Sequence, residues 1–282
     1  MSSTSVQTSH ADRSAENLAK IVATYSQPDE LSSAEWLACV NLHLHRTSLR
    51  SLDQRTLSVR RILDVAGAVM LIAVLAPVMF VVALLVKLTS TGPIFYRQVR
   101  TGLNLRRFRD RRESLGDAPF PGSDRRRPAE GRRKSFAYGK PFVIYKFRTM
   151  CVDAERDGAR FAEKGDPRVT SIGRFLRKTR LDELPQLWNV LKGEMSLVGP
   201  RPERPEFIEQ LSRDVPNYLS RLGIKPGLTG LAQVVNGYDN DLAGFQRKVA
   251  LDLLYLQNCC LWNDIRILIR TVSVVVTGKG AL

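Results

Sequence analysis

The sequence predicts a mainly helical α+β protein with a single membrane segment. Three features predict it: one long uncharged apolar run, a few short strand-like stretches, and several amphipathic helical stretches downstream of the run. The apolar run is Val65 to Val86, about 22 residues without a charge, and a stretch of that length reaches across a bilayer core. Arg55, Arg60 and Arg61 precede it, and Lys87, Arg97 and Arg100 follow it. Positive charge marks the cytoplasmic side of a membrane, and here it stands on both flanks. Pro77 lies near the middle, where proline removes a helical hydrogen bond and bends the helix. These features together predict a re-entrant helix-break-helix that enters and leaves on one face; a kinked spanning helix is the alternative.

After the run, Gly92-Pro93 reads as a turn and Ile94 onward as a short strand. Pro141 to Phe147 is strand-like. Asp153 to Lys164, Gly173 to Arg180 and Asp182 to Leu191 read as helices, Gly193 to Pro205 as a loop, and Pro205 to Leu222 as a helix. Pro226 to Gly237 is Gly-rich with strand character, and Asp241 to Cys260 and Asp264 to Thr277 close the chain as helices. Three regions follow: residues 1–57 as a partly disordered N-terminal extension, 58–90 as the membrane segment, and 91–282 as a catalytic domain. Within the last, about 105–138 is rich in Arg, Gly, Pro and Ser and poor in aliphatics, and reads as a disordered basic insertion.

The chain of 282 residues is 44% hydrophobic, so a core can form, and its formal net charge is +15. That balance calls for a polyanionic partner: nucleic acid, an anionic membrane surface or a phosphorylated substrate. The basic insertion lacks interleaved aromatics for base stacking and lies close to the membrane run, so lipid headgroups are favoured and no nucleic acid is expected. The four cysteines form no C-x-x-C pair and no zinc spacing, and read as reduced thiols. His43 and His45 are a weak metal signal and are expected at the edge of a strand or helix. The N-terminus is polar, without a basic stretch leading into an apolar one, so a cleaved leader is not expected.

Four constellations carry chemistry. Asp182-Glu183 sits just before Pro185, a residue suited to a helix first turn, and among Arg177, Lys178 and Arg180. Cations and a helix start lower carboxylate pKa and gather anions, so either carboxylate suits a nucleophile or a Mg2+ ligand beside a diphosphate; plain helix-dipole complementation also accounts for the pair. Pro200-Arg201-Pro202 fixes the direction of an arginine, which suits a phosphate or a nucleobase edge, or marks a rigid turn. Lys146 and Arg148 alternate on a strand and share a face, as a substrate site or a surface stripe. Lys225 to Val234 offers glycines and Thr229 for close approach to a ligand, or a tight turn. None is a P-loop, a G-x-G-x-x-G, a G-x-S-x-G or an H-E-x-x-H.

Read in order, these stretches resemble the monotopic phosphoglycosyl transferases, also called bacterial sugar transferases, which start exopolysaccharide and other surface glycans. The resemblance rests on Arg61-Ile62-Leu63-Asp64, on Leu88 to Gln98, on Tyr145-Lys146-Phe147-Arg148-Thr149-Met150 and on Asp166 to Thr170. It continues through Ile172 to Thr179, Leu181 to Leu187, Met195 to Pro202 and Lys225 to Gly230, and covers roughly residues 58 to 282. It implies a monotopic protein of the cytoplasmic membrane, its catalytic domain facing the cytoplasm. It implies transfer of a sugar-1-phosphate from a UDP-sugar to polyprenyl (undecaprenyl) phosphate, with release of UMP. Asp182 would be the nucleophile that carries the phosphosugar, and Glu183 with Asp182 would hold Mg2+. Arg177, Lys146 and Arg148 would bind substrate phosphate, and Pro200, Arg201 and Pro202 the nucleotide. Pro77 would mark the membrane helix break. Membrane lipids are implied partners, and self-association is left open.

The sequence departs from the family's pattern in three ways. Ala76 precedes the membrane proline where many relatives have Ser, the basic insertion at about 105–138 is additional, and the several N-terminal membrane helices of longer members are not expected. A basic, membrane-anchored binding protein is the rival reading, in which the Arg-rich insertion would carry the activity.

Overall fold

The structure, a computed structural model, describes residues 54–103, 138–156, 158, 165–215, 218–235 and 242–277, together with Val40. The N-terminal extension with His43 and His45, and the basic insertion apart from Tyr138, lie outside the described residues.

Helix α1 runs from Gln54 to Thr89, 36 residues and about 54 Å of helix. Pro77 lies inside it, exposed, and the helix continues on both sides. Helical structure continues through Pro77, so the bend expected there would lie within one helix rather than between two. Apolar side chains surround this helix, and only 11% of its most apolar window is buried, so it is not a core helix.

The two ends of α1 are fastened to the same body. At the first end, Arg60 reaches Tyr255 Oη at 2.7 Å and Asp264 Oδ2 at 2.9 Å, and Asp64 Oδ1 accepts from Ser196 Oγ at 3.0 Å and Leu197 N at 2.8 Å. Arg61 donates to the carbonyls of Val190 and Leu191, in the last turn of a helix, at 2.6 and 2.7 Å. At the other end, Val82 and Val86 pack on Phe147 and Leu176. Between them Met70, Val74, Phe80 and Val81 stay exposed.

Strands β1 (Phe95–Thr101) and β2 (Pro141–Phe147) form an antiparallel ribbon in which Tyr96 faces Lys146, Gln98 faces Ile144 and Arg100 faces Phe142. Helix α2 (Ser171–Thr179) starts at Thr170, whose Oγ1 accepts from Gly173 N at 3.0 Å. Gly173 lies so close to the strand exit that an added Cβ would stand 2.0 Å from the Thr149 carbonyl oxygen. Arg180 closes α2 in the left-handed region at φ 58°, and a 3-10 turn, Leu181–Gln186, follows directly.

Helix α3 (Leu187–Lys192) ends at Gly193, φ 80°. Then come β3 (Ser196–Val198), α4 (Pro205–Asp214), a 3-10 turn at Tyr218–Gly223, β4 (Gly227–Thr229) parallel to β3, and α5 (Leu231–Val235). Helices α6 (Leu242–Gln257) and α7 (Leu261–Thr277) complete the described chain. The main core gathers Ile144, Leu187, Val190, Met195, Leu231 and Ile267, with Ala68 of α1 inserted into it. A second cluster joins Ile208, Tyr218 and Phe245.

The α+β, mainly helical class is observed, and β2 has the expected bounds. Four expectations fail locally. The helix expected from Pro205 to Leu222 ends at Asp214, and a separate 3-10 turn takes Tyr218 to Gly223. Residues 152–156 are turns rather than the start of a helix from Asp153. The loop from Gly193 contains β3, three residues too short to show a period of two. The Gly-rich stretch from Pro226 holds a three-residue strand and then turns helical, because Leu231 and Val234 point into the core.

Candidate active site

The 3-10 turn after Arg180 presents Asp182 and Glu183 to a cleft of about 1650 Å3. Both are buried, at 7% and 9% exposure, although both are acidic. A buried carboxylate costs free energy unless it is paired or hydrogen-bonded. Glu183 meets that requirement. Its Oε1 lies 2.9 Å from Lys146 Nζ and 2.7 Å from Arg201 Nη2, and its Oε2 is 3.3 Å from Arg201 Nη1. Asp182 does not, since its Oδ1 is buried with no hydrogen-bond partner among the described residues.

The two neighbours therefore titrate in opposite directions. Burial and then the Glu183 charge push Asp182 up to about 6, against the pull of Lys146, Arg177 and Arg201. Burial also acts on Glu183, but Arg201 and Lys146 overcome it and hold Glu183 well below the usual carboxylate range. Burial lowers the pKa of Lys146, opposed by Glu183. The result is one carboxylate locked as an anion by two cations, beside a second carboxylate with an open oxygen.

Each member is held by its own support. Lys146 comes from β2, and the buried Asn189 of α3 acts as a neighbouring strand for β2: its Oδ1 accepts from Tyr145 N at 3.3 Å and its Nδ2 donates to Val143 O at 2.6 Å. That side chain couples the strand bearing Lys146 to the helix that follows the carboxylates. Arg201 sits on a loop pinned by Arg221, which donates to Arg201 O at 3.1 Å while paired with Asp252 at 2.7 Å. Arg177 projects from α2, its Nε on Thr149 Oγ1 at 3.0 Å.

Of the residues singled out in the sequence, the fold brings Asp182, Glu183, Lys146, Arg148, Arg177 and Arg201 to one cleft. Arg148 lines the cleft beyond the end of the strand at Phe147, and its Nη2 donates to Ser90 O at 2.8 Å and Ser90 Oγ at 2.6 Å, tying the end of α1 to β2. Lys146 and Arg148 thus both line the cleft but hold different partners, Glu183 and Ser90. Pro200 and Pro202 do not line the cleft; their carbonyls accept from Gly227 N at 2.9 Å and Arg100 Nη1 at 3.2 Å. Arg201 itself faces a carboxylate. Asn189, Arg221 and Asp252 escaped the sequence reading, and Arg100 entered it only as a charge after the apolar run. Three are lone polar residues within helical patterns, and Arg100 lies just past the Phe95-to-Gln98 stretch already recognised.

No group of three or more His, Cys, Asp or Glu side chains gathers among the described residues. The pair Asp182 and Glu183 nevertheless fits Mg2+, which takes one or two carboxylates and completes its shell from phosphate oxygens and water. The unpartnered Asp182 Oδ1 is the atom in favour of that fit.

The cleft has two wings. One is apolar, between α1 (Met70, Leu71, Leu75) and α7 (Leu268, Val272, Val275); the other is polar, between β1 and the Arg201-to-Phe207 segment. The arrangement provides a buried nucleophile-type oxygen, a clamp of cations for phosphate, and an apolar approach.

Comparison with known proteins agrees with this arrangement. The family described as bacterial sugar transferase matches residues 55–111 and 128–278. A UDP-N-acetylgalactosamine-undecaprenyl-phosphate N-acetylgalactosaminephosphotransferase of Aeromonas hydrophila is 39% identical over 85% of this chain and 49% of its own length. A UDP-glucose:undecaprenyl-phosphate glucose-1-phosphate transferase of Caulobacter vibrioides is 38% identical over 79% of this chain and 71% of its own. One of the same description from Klebsiella pneumoniae is 36% identical over 79% of this chain and 41% of its own. The chain thus spans about half the length, or less, of two of these three relatives. The match takes in α1, the two-carboxylate turn and both walls of the cleft, and the chain belongs to the bacterial sugar transferase family.

Proposed function

We propose that the protein transfers a sugar-1-phosphate from a UDP-sugar to undecaprenyl phosphate, through a phosphosugar carried on Asp182. The observation that carries this reading is the buried, unpartnered Oδ1 of Asp182 beside the cation-clamped Glu183, in a cleft that continues into an apolar wing. An Asp182 oxygen attacks the β-phosphorus of the donor, and the bond to the bridging oxygen breaks with its electron pair leaving on UMP. An oxygen of the lipid phosphate then attacks the same phosphorus, the Asp182 carboxylate leaves, and the lipid-diphosphate sugar forms. Lys146, Arg177 and Arg201 offset the charge that accumulates on the phosphoryl oxygens. Mg2+, held by Glu183 and Asp182, would neutralise the diphosphate.

The reading includes a re-entrant α1 that dips into the cytoplasmic leaflet. The attachment of both its ends to one body supports this, as do the cations on both flanks and the exposed middle around Pro77. Helix α7 supports the same membrane plane: Trp262, Ile265, Ile269, Val272 and Val276 expose an apolar stripe. The reading also includes a role at the start of exopolysaccharide or other surface glycan synthesis; the relatives' names support the undecaprenyl-phosphate acceptor.

The test is UMP release from a panel of UDP-sugars with undecaprenyl phosphate and Mg2+, with the acceptor then withheld to trap labelled phosphosugar on the protein. Wild type is expected to release UMP and take up label, and Asp182→Asn to do neither. UMP release by Asp182→Asn at the wild-type rate would refute the covalent route.

A further inference from the structure

Alternate residues of β1 form a polar rail that the chemistry at Asp182 leaves unused. Tyr96, Gln98 and Arg100 share one face of the ribbon with Lys146 and line the polar wing of the cleft. They are linked in series. Tyr96 Oη donates to Glu155 Oε1 at 2.9 Å, Gln98 Nε2 donates to Tyr96 Oη at 3.0 Å, and Arg100 Nη2 donates to Gln98 Oε1. Opposite them Arg204 pairs with Glu155 at 2.8 Å and lies over the Phe207 ring at 5.5 Å.

The rail begins at the phosphate clamp, since Tyr96 stands directly across the ladder from Lys146. At a rise of about 3.4 Å per residue, Gln98 lies about 7 Å farther along and Arg100 about 14 Å. A nucleoside diphosphate with its β-phosphate at Lys146 and Arg201 covers that span.

We infer that this rail is the uridine subsite of the donor, with the Gln98 carboxamide reading the uracil imide edge. The inference rests on the proposed function and moves nucleotide recognition from the prolines flanking Arg201 to β1. Uracil presents one donor, N3–H, beside a carbonyl acceptor. A carboxamide presents the complementary pair, Oε1 to accept and Nε2 to donate. Cytosine presents the reverse pattern, and a freely rotating amide would flip to match it. Gln98 cannot, because its Oε1 faces the Arg100 guanidinium, which has donors only. The amide is thereby fixed in the uracil-reading sense. A hydrogen remains for the base: the second Nε2 hydrogen makes only a 3.4 Å contact to Glu155, a half-exposed carboxylate at the mouth that Arg204 retains when the base displaces that contact.

The test is titration of the full chain in detergent with UMP, CMP and N3-methyl-UMP, for wild type and Gln98→Leu, alongside the UMP-release assay. Wild type is expected to bind UMP at least about ten-fold tighter than CMP or N3-methyl-UMP, and Gln98→Leu to compress both ratios to about two-fold or less. The N3-methyl comparison needs no variant, so it stands even if Gln98→Leu folds poorly. Equal wild-type affinity for UMP and N3-methyl-UMP, or unchanged ratios in a folded Gln98→Leu, overturns the subsite while UMP release still upholds the transferase reading. A wild type that binds no nucleotide and releases no UMP overturns both.

Discussion

Replacing Asp182 by Asn should make the protein inactive and, at neutral pH, more stable. Burial holds the folded-state pKa of Asp182 at about 6, whereas an unfolded aspartate titrates near 3.9. A raised carboxylate pKa favours the protonated folded form. That contribution is full below pH 4 and is lost as pH rises through about 6. The shift of about two units corresponds to about 3 kcal/mol at 1.36 kcal/mol per unit. Asn carries no charge and escapes this loss. Its amide adds a pH-independent offset, so the diagnostic quantity is how the difference in melting temperature changes with pH. For a domain of this size about 3 kcal/mol is about 6–12 °C. Thermal melts of wild type and Asp182→Asn in detergent with EDTA, from pH 4.5 to 7.5, measure it. The melting temperature of Asp182→Asn relative to wild type should rise by several degrees across that range. A difference that stays flat with pH would refute the claim that Asp182 is held ionised at an energetic cost.

Two further outcomes follow from the same geometry. The rate of phosphosugar uptake should fall about ten-fold per pH unit below about 6, because attack requires the ionised Asp182, while Glu183, held far lower by Arg201 and Lys146, adds no second step in that range; a pH-rate profile of single-turnover uptake measures this, and a flat profile from 5 to 7 contradicts it. Gly173→Ala should destabilise the fold by about 2–4 kcal/mol, because the added methyl meets the Thr149 carbonyl at 2.0 Å and α2 must move away from the strand exit; expression and melting temperature report it, and a wild-type melt would mean that α2 sits farther from Thr149.

The buried ion pairs around the site are costly groups retained next to reactive ones. Arg221 with Asp252, 6% and 1% exposed, anchors the backbone of Arg201. Arg60 with Asp264 anchors the start of α1 to α7. A buried pair adds little net stability but penalises any arrangement that separates it. Both pairs thereby restrict the position of an element that walls the cleft.

Sequence alone determined what is local. The length and polarity of Val65–Val86 mark an element long and apolar enough to cross a membrane, since each residue's transfer free energy into lipid is a local property. Pro185 and the flanking cations placed Asp182 and Glu183 at a helical turn, and the strand-like Pro141–Phe147 is β2. Tertiary structure decided the rest, because it depends on which distant groups share a low-dielectric site. Lys146 and Arg201 converge on Glu183 from 37 and 18 residues away, while Arg148, two residues from Lys146, is drawn off to Ser90. Adjacency in the chain made Asp182 and Glu183 look alike. The fold set them apart by giving both cations to Glu183 and leaving Asp182 an open oxygen.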